Sequence, residues 1–242
     1  MEHRALERRP SSRWRRVRSH PLTHLVAALV LVALVQSLFV KVYQVPSASM
    51  ESTVFPGDRL LVNRLEGDPT VGDVVVFHEP QGWSGTPEES ATSLRVIAGW
   101  FGDVFGFGPS NESALVKRVV GGPGQTVECC DSEGRVTRDG TPVNEPYVSS
   151  DYPFQAGFLD CASSPRSLRC FPPVTVGTTE YLMLGDNRAA SSDSILPCRG
   201  LELRSSDECA RPVPRRQVIG KAFFVLLPLT RWGQSLAMDT SQ

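Results

Sequence analysis

Residues 114–124 read Ala-Leu-Val-Lys-Arg-Val-Val-Gly-Gly-Pro-Gly. Seven residues dominated by aliphatic side chains stop at a Gly-Gly-Pro-Gly turn, the pattern of a strand rather than of a helix. In a strand, Leu115, Lys117 and Val119 share one face, and Val116, Arg118 and Val120 share the other. Each face therefore carries one cation among aliphatic neighbours. The ordinary reading of Lys117 is an edge-strand lysine whose stem lies along apolar surface while its ammonium reaches water. The other reading is burial for a chemical purpose. Apolar surroundings disfavour the charged form, and an amine with an ordinary pKa of about 10.4 then falls by several units, toward the range of a working base.

Similar short runs flank this stretch: Arg59 to Arg64 (RLLVNR), Asp73 to His78 (DVVVFH), Glu180 to Leu184 (EYLML) and Val218 to Leu227 (VIGKAFFVLL). Pro56-Gly57-Asp58, Asp68-Pro69 and Gly72-Asp73 separate them as turns. Thr126 to Glu128, Arg135 to Thr137 and Thr141 to Val143 read as small hairpins, with Asp139-Gly140 as a tight turn. Many short strands with little helical periodicity predict a mainly β body, an antiparallel barrel- or sandwich-like core over residues 44–228. Within it, 79–113 reads as an insertion carrying an aromatic stretch, Leu94 to Phe107. Residues 144–173 and 196–216 read as cysteine-containing loops, and 229–242 as a C-terminal tail. At 242 residues, one elaborated domain with a real core is expected.

The N-terminus is built differently. Residues 1–20 hold seven of the 25 basic residues and two of the 26 acidic ones, leaving 18 basic and 24 acidic elsewhere. A mildly acidic body behind a basic tail is not a nucleic-acid-binding pattern, so no nucleic-acid partner is expected. Leu22 to Val40 then runs 19 residues without Asp, Glu, Lys or Arg. As a helix it spans about 28 Å, close to a bilayer core. The reading is a transmembrane anchor over 22–43, with Lys41 and Tyr43 at the interface. The arginines keep the tail, 1–21, in the cytoplasm, and the body lies on the outer side of the cell membrane as a single-pass protein. A cleaved signal peptide is the alternative, but no A-x-A site follows the run. The C-terminal run VIGKAFFVLLPL is too short, and too interrupted by Lys221 and Pro228, for a second span.

Six cysteines, Cys129, Cys130, Cys161, Cys170, Cys198 and Cys209, in a body placed outside the membrane favour disulfides. Cys161–Cys170 and Cys198–Cys209 are the simplest loop-closing pairs. Cys129 and Cys130 either bridge each other or stay reduced. Without a C-x-x-C spacing, no metal site is expected.

Two polar segments complete the chemistry. Val45 to Asn63 (VPSASMESTVFPGDRLLVN) lies just past the anchor, and Gly185 to Ser194 (GDNRAASSDS) follows a strong strand. Each alone reads as an ordinary turn. Histidine offers no Ser-His-Asp triad: His3, His20 and His24 lie in the tail or early anchor, and His78 only ends a strand. A serine with a lysine base is what the sequence leaves available.

In their order behind one anchor, Pro46-Ser47-Ala48-Ser49-Met50, Gly72 to Phe77, Leu115 to Gly124 and Gly185 to Asp193 closely resemble the blocks of bacterial type I signal peptidases, the Ser-Lys dyad family of leader peptidases. The resemblance covers the anchor and most of residues 43–228. It implies an all-β catalytic core outside the membrane, with signal peptides of exported preproteins and the lipid bilayer as partners and no cofactor. It implies cleavage after small residues of the Ala-x-Ala type. Ser49 matches the nucleophile and Lys117 the general base. Ser47 joins the backbone N–H of Ser49 in the oxyanion hole. Ser191 matches the hydroxyl that orients the lysine, Asp186 and Asp193 match supporting acids, and Met50 matches a residue lining the substrate site. Three positions depart from the pattern. Ser52 stands where proline is common, Ala189 and Ala190 replace more polar residues, and Ile195 stands where an arginine usually follows. That leaves Arg188 or Arg199 as the partner expected for Asp193. A self-cleaving Ser-Lys peptidase of the repressor type fits less well, because of the anchor. An inactive, membrane-tethered relative that binds signal peptides or secretion machinery is the non-enzymatic reading.

Overall fold

The computed structural model describes residues 20–65, 68–80, 83, 99, 114–201, 209–234 and 236, without the side chains of 35–38. The basic tail before residue 20 and nearly all of the stretch 84–113, including the aromatic run, lie outside the described residues.

The chain opens with helix α1 (Pro21–Leu38). It then forms β1 (Val40–Gln44), β2 (Arg59–Asn63), β3 (Val74–His78), β4 (Ala114–Gly121), β5 (Thr126–Cys129), β6 (Val136–Arg138), β7 (Thr141–Pro142), β8 (Phe171–Thr175), β9 (Glu180–Leu184), β10 (Val213–Pro214) and β11 (Val218–Leu227). Seven strands make one sheet in the order β1-β2-β11-β3-β4-β9-β10, and four make a second in the order β7-β6-β5-β8. All paired strands are antiparallel. The fold is thus mainly β. Among the described residues the large sheet does not close into a barrel, because β1 and β10 are its two edges. Val120, Leu182 and Leu184 of the large sheet pack with Val127, Val136, Phe171 and Val174 of the small one in a shared core.

Two expectations change. The helix ends at Leu38, and residues 40–44 leave the expected anchor as a strand paired with β2 from Val40–Asn63 to Gln44–Arg59. The sequence VKVYQ alternates, and Lys41 and Tyr43 on its inner face are buried in the body, where period-2 pairing outweighs continuation of the apolar run. Among residues whose side chains are described, no helix is long and apolar enough to cross a membrane. Finally, the loop expected to run through residue 173 gives way to β8 (Phe171–Thr175), despite Pro172 and Pro173. Among the described residues, strand β8 pairs on one side only, as an edge strand, where a missing N–H costs no ladder bond.

Three disulfides form: Cys129–Cys130, Cys161–Cys170 and Cys198–Cys209. The Cys130, Cys161 and Cys170 sulfurs lie within 4.8 Å of one another, but all three are consumed in disulfides.

Candidate active site

Strand β4 is not an edge. It lies between β3 and β9, with Lys117 opposite Val75 and Arg118 opposite Val74 and Leu184. Residues 116–121 are all buried. Neither cation can therefore snorkel to water, and each must find a partner inside. Lys117 is 2% exposed. Its Nζ donates to Ser49 Oγ at 2.6 Å and to the Val116 carbonyl at 3.1 Å. Desolvation lowers its pKa to about 8, against the opposing fields of Asp193 and Asp186.

Ser49 is presented by a single 3-10 turn, Ala48–Met50, that follows β1 after Val45, Pro46 and Ser47. The loop is closed at its base, where Val45 and Asp58 share a backbone bond of 2.8 Å. The Asp58 carboxylate accepts from Phe55 N at 2.8 Å and from Arg231, which also holds the Thr53 carbonyl at 2.7 Å. Ser52 adopts φ +85, a conformation closed to proline, whose ring fixes φ near −65°. The absence of proline here is thus required by this backbone. Ser52 Oγ ties the turn to the Tyr147 carbonyl at 2.8 Å. Ser47 is exposed and extended, and its hydroxyl donates to Ser49 Oγ at 3.2 Å. Met50 is fully buried among Tyr43, Val45, Val54 and Leu60, so its side chain belongs to the core behind the turn.

The turn after β9 locks onto the serine turn. Asn187 donates from its backbone to the Ser49 carbonyl at 3.0 Å and from Nδ2 to the Ala48 carbonyl at 3.2 Å. A Cβ on Gly185 would lie 2.3 Å from Ser191 Oγ and 2.5 Å from the Ser49 carbonyl oxygen. Only glycine permits that approach. Asp186 receives Arg118 through both oxygens, from Nε at 2.8 Å and Nη2 at 2.6 Å, and also accepts from Thr53 Oγ1. Arg118 Nη1 reaches the Gly72 carbonyl at 2.7 Å, and its guanidinium lies 4.1 Å from the Tyr147 ring centroid. Arg188 binds Glu145 at 2.7 Å and the Gly185 carbonyl at 2.9 Å. It is therefore not the partner of Asp193. That place falls to Arg199, 3.6 Å away. Ser191 is buried beside Gly185, and its hydroxyl makes no hydrogen bond among the described residues; none joins it to Lys117.

Arg118, Glu145 and Tyr147 were not legible as site residues, and Arg188 was legible only as a possible partner of Asp193, which it is not. The available signal was the Lys-Arg pair in an apolar strand: two adjacent buried cations demand two different solutions. His78 is exposed, three residues along β3 from Val75. The arrangement provides a hydroxyl beside an amine of lowered pKa, which is a nucleophile beside a base.

The chain is similar to known proteins over most of its length. Residues 18–227 match the family model described as signal peptidase, peptidase S26. A signal peptidase I of Mycobacterium tuberculosis (strain CDC 1551 / Oshkosh) is 34% identical over 229 residues, covering 90% of this chain and 75% of that protein. A probable signal peptidase I of Mycobacterium leprae is 33% identical over 233 residues, covering 90% of this chain and 78% of that one. A signal peptidase I crystal structure from Enterococcus faecalis V583 covers 64% of this chain and 96% of its own, at 21% identity and a TM-score of 0.34.

Proposed function

Because this chain belongs to the signal peptidase family, peptidase S26, we propose that it is a membrane-tethered serine peptidase that removes signal peptides from exported preproteins, with Ser49 as nucleophile and Lys117 as general base. The observation that carries the dyad is the 2.6 Å contact between Lys117 Nζ and Ser49 Oγ, at an amine that has no carboxylate within salt-bridge distance among the described residues.

In the neutral form Lys117 accepts the Ser49 proton as Oγ attacks the scissile carbonyl. The protonated amine then gives that proton to the leaving nitrogen. Water hydrolyses the acyl-enzyme with Lys117 again as base. The Ser47 hydroxyl and the Ser49 backbone N–H receive the oxyanion, a task in which one donor is typically worth about 10²–10³ in rate. Asp186 and Asp193 support the turn that carries Asn187 and Ser191. Ser191 offers its buried hydroxyl to the ammonium once Ser49 is acylated and no longer its partner. Met50 backs the substrate site from the core side. Two shallow apolar pockets admit only small residues at the first and third positions before the cut. The extended substrate adds to β1, an edge strand of the large sheet among the described residues and the one that leads into Ser47.

Tethering rests on α1 and the residues around it. Leu22, Leu25, Val26, Leu29, Val30 and Leu31 are exposed apolar side chains on a helix of 18 residues, about 27 Å long. Exposed aliphatic side chains along most of the helix are suited to contact with lipid. With the arginine-rich tail in the cytoplasm, enzyme and preprotein share one bilayer surface, which raises their effective concentration.

The test is cleavage of a preprotein with an Ala-x-Ala site by the full chain in detergent or vesicles. Cleavage at that site is expected, with none by Ser49→Ala or Lys117→Ala. Full activity in either variant would refute the dyad, and absence of cleavage by the unaltered chain would favour an inactive relative.

A further inference from the structure

Asp193 and Arg199 form a buried ion pair of unusual make. Asp193 is 3% exposed and Arg199 8%. Their closest approach is 3.6 Å, and Arg199 Nε and Nη2 make no hydrogen bond among the described residues. The guanidinium is held from its other sides. Nη1 donates to the Leu168 carbonyl at 3.4 Å, and the Tyr152 ring centroid lies 5.0 Å from Cζ. The preceding residue, Cys198, is fully buried and bonded to Cys209. Arg199 directly follows the short helical turn Leu196–Cys198 that this disulfide anchors. Asp193, for its part, accepts from Gly185 N and Ile195 N, both at 3.3 Å. Gly185 is the glycine pressed against Ser191 and the Ser49 carbonyl. The route from Arg199 to the dyad is therefore short: guanidinium, carboxylate, Gly185, Ser49.

We propose that Arg199 is a positioning residue for the Ser49–Lys117 pair, acting through Asp193, and that the Cys198–Cys209 disulfide holds it there. The inference rests on Lys117 being the base. Its physical content is electrostatic. A carboxylate near a buried amine favours the ammonium, the inactive form of a base. Paired with Arg199, Asp193 presents Lys117 with a dipole, whose field falls off faster than that of a single charge. Unpaired, it presents a full negative charge in a poorly screened interior. Asp193 is the larger of the two carboxylate fields acting on Lys117; the other, Asp186, is already neutralised by Arg118. Of the other ionic groups around the site, Glu145 pairs with Arg188, and Lys221, two strands across from Lys117, pairs with Asp73. Arg199 is thus the adjustable member of the set.

The experiment is the pH dependence of kcat/KM for preprotein cleavage, with thermal melts in parallel, for Arg199→Met, Arg199→Lys, Asp193→Asn and the double variant of Arg199→Met with Asp193→Asn. In Arg199→Met the acid limb should move upward by about one unit, a loss of about tenfold in kcat/KM on that limb. Arg199→Lys, which keeps the charge, should restore most of it. In the Asp193→Asn background, Arg199→Met should leave the limb where Asp193→Asn alone puts it, because the carboxylate through which Arg199 acts is gone. If Arg199→Met does not fold, Asp193→Asn alone still tests the premise: removing the carboxylate that raises the Lys117 pKa should move the acid limb downward, and an unmoved limb overturns the inference. An acid limb unmoved by Arg199→Met, or moved equally with and without Asp193, overturns the inference. Activity surviving in Lys117→Ala would instead overturn the assignment of the base on which it rests.

Discussion

Lys117 and Arg118 are neighbours in one strand, both at most 2% exposed, and the molecule treats them in opposite ways. Arg118 is saturated. Asp186 takes it bidentately, and Gly72, Thr53 and the Tyr147 ring take the rest. Lys117 has one hydroxyl, one carbonyl and no carboxylate within reach among the described residues. Full pairing keeps a buried guanidinium charged and turns it into a fixed strut between β4 and the turn at Asp186. Withholding a counter-ion lets burial push the amine toward neutrality. One residue step along a strand thus separates an architectural cation from a chemical one. The choice of side chain fits: a guanidinium stays protonated at any relevant pH, whereas a lysine shifts readily when buried.

The largest expected effect comes from erasing that difference. Lys117→Arg keeps a cation beside Ser49 but supplies no base. Cleavage of an Ala-x-Ala preprotein should fall by about 10⁴–10⁶-fold, the range for losing one member of a nucleophile–base pair. Near-normal cleavage would mean that Lys117 acts as a fixed charge, as Arg118 does. The next effect is on stability. Arg118→Met leaves Asp186 buried without its partner, and breaking a buried pair costs about 3–5 kcal/mol. The melting temperature should drop sharply, and adding Asp186→Asn should recover much of it. Equal melting of the single and double variants would show that the pair is not the strut described.

This contrast also marks where the sequence could be read and where it could not. The strands of the large sheet were legible because branched aliphatic runs alternate with Pro-Gly and Gly-Asp turns. Lys117 was legible because an apolar strand makes a cation conspicuous. Arg118 was hidden by the same logic: its partner Asp186 is 68 positions away, and no local pattern signals a pairing made by strand order. Strand β1 was absorbed into the apolar run before it, although VKVYQ carries its own alternation. The two prolines masked β8, since edge position is a property of the assembled sheet. The bracing of Asp193 stayed open between two arginines until Glu145 claimed Arg188. The three disulfides, by contrast, join cysteines at most 11 residues apart, within the reach of a local reading.

The smallest effect, and the sharpest, is the titration of Lys117 itself. Its pKa in the folded chain is about 8, against 10.5 for an unhindered lysine. The neutral amine is the active form, so kcat/KM should rise with pH through about 8 and fall about tenfold for each unit below it. Stability moves with pH for the same reason. Below pH 8 both folded and unfolded chains hold the Lys117 proton, and the burial cost is fully present. Between 8 and 10.5 the unfolded chain binds a proton that the folded one lacks, so stability rises with pH, by about 1.4 kcal/mol per unit and about 3 kcal/mol in all. Lys117→Met removes the cost outright. Measured against the unaltered chain by denaturant unfolding, it should be the more stable of the two below pH 8, less the lost contacts with Ser49 and Val116. That advantage should shrink steadily toward pH 10.5. Arg118→Met should be less stable at every pH in that span. Two adjacent substitutions to the same residue would then have opposite signs, and a Lys117→Met chain less stable at pH 7 by as much as Arg118→Met would abolish the distinction.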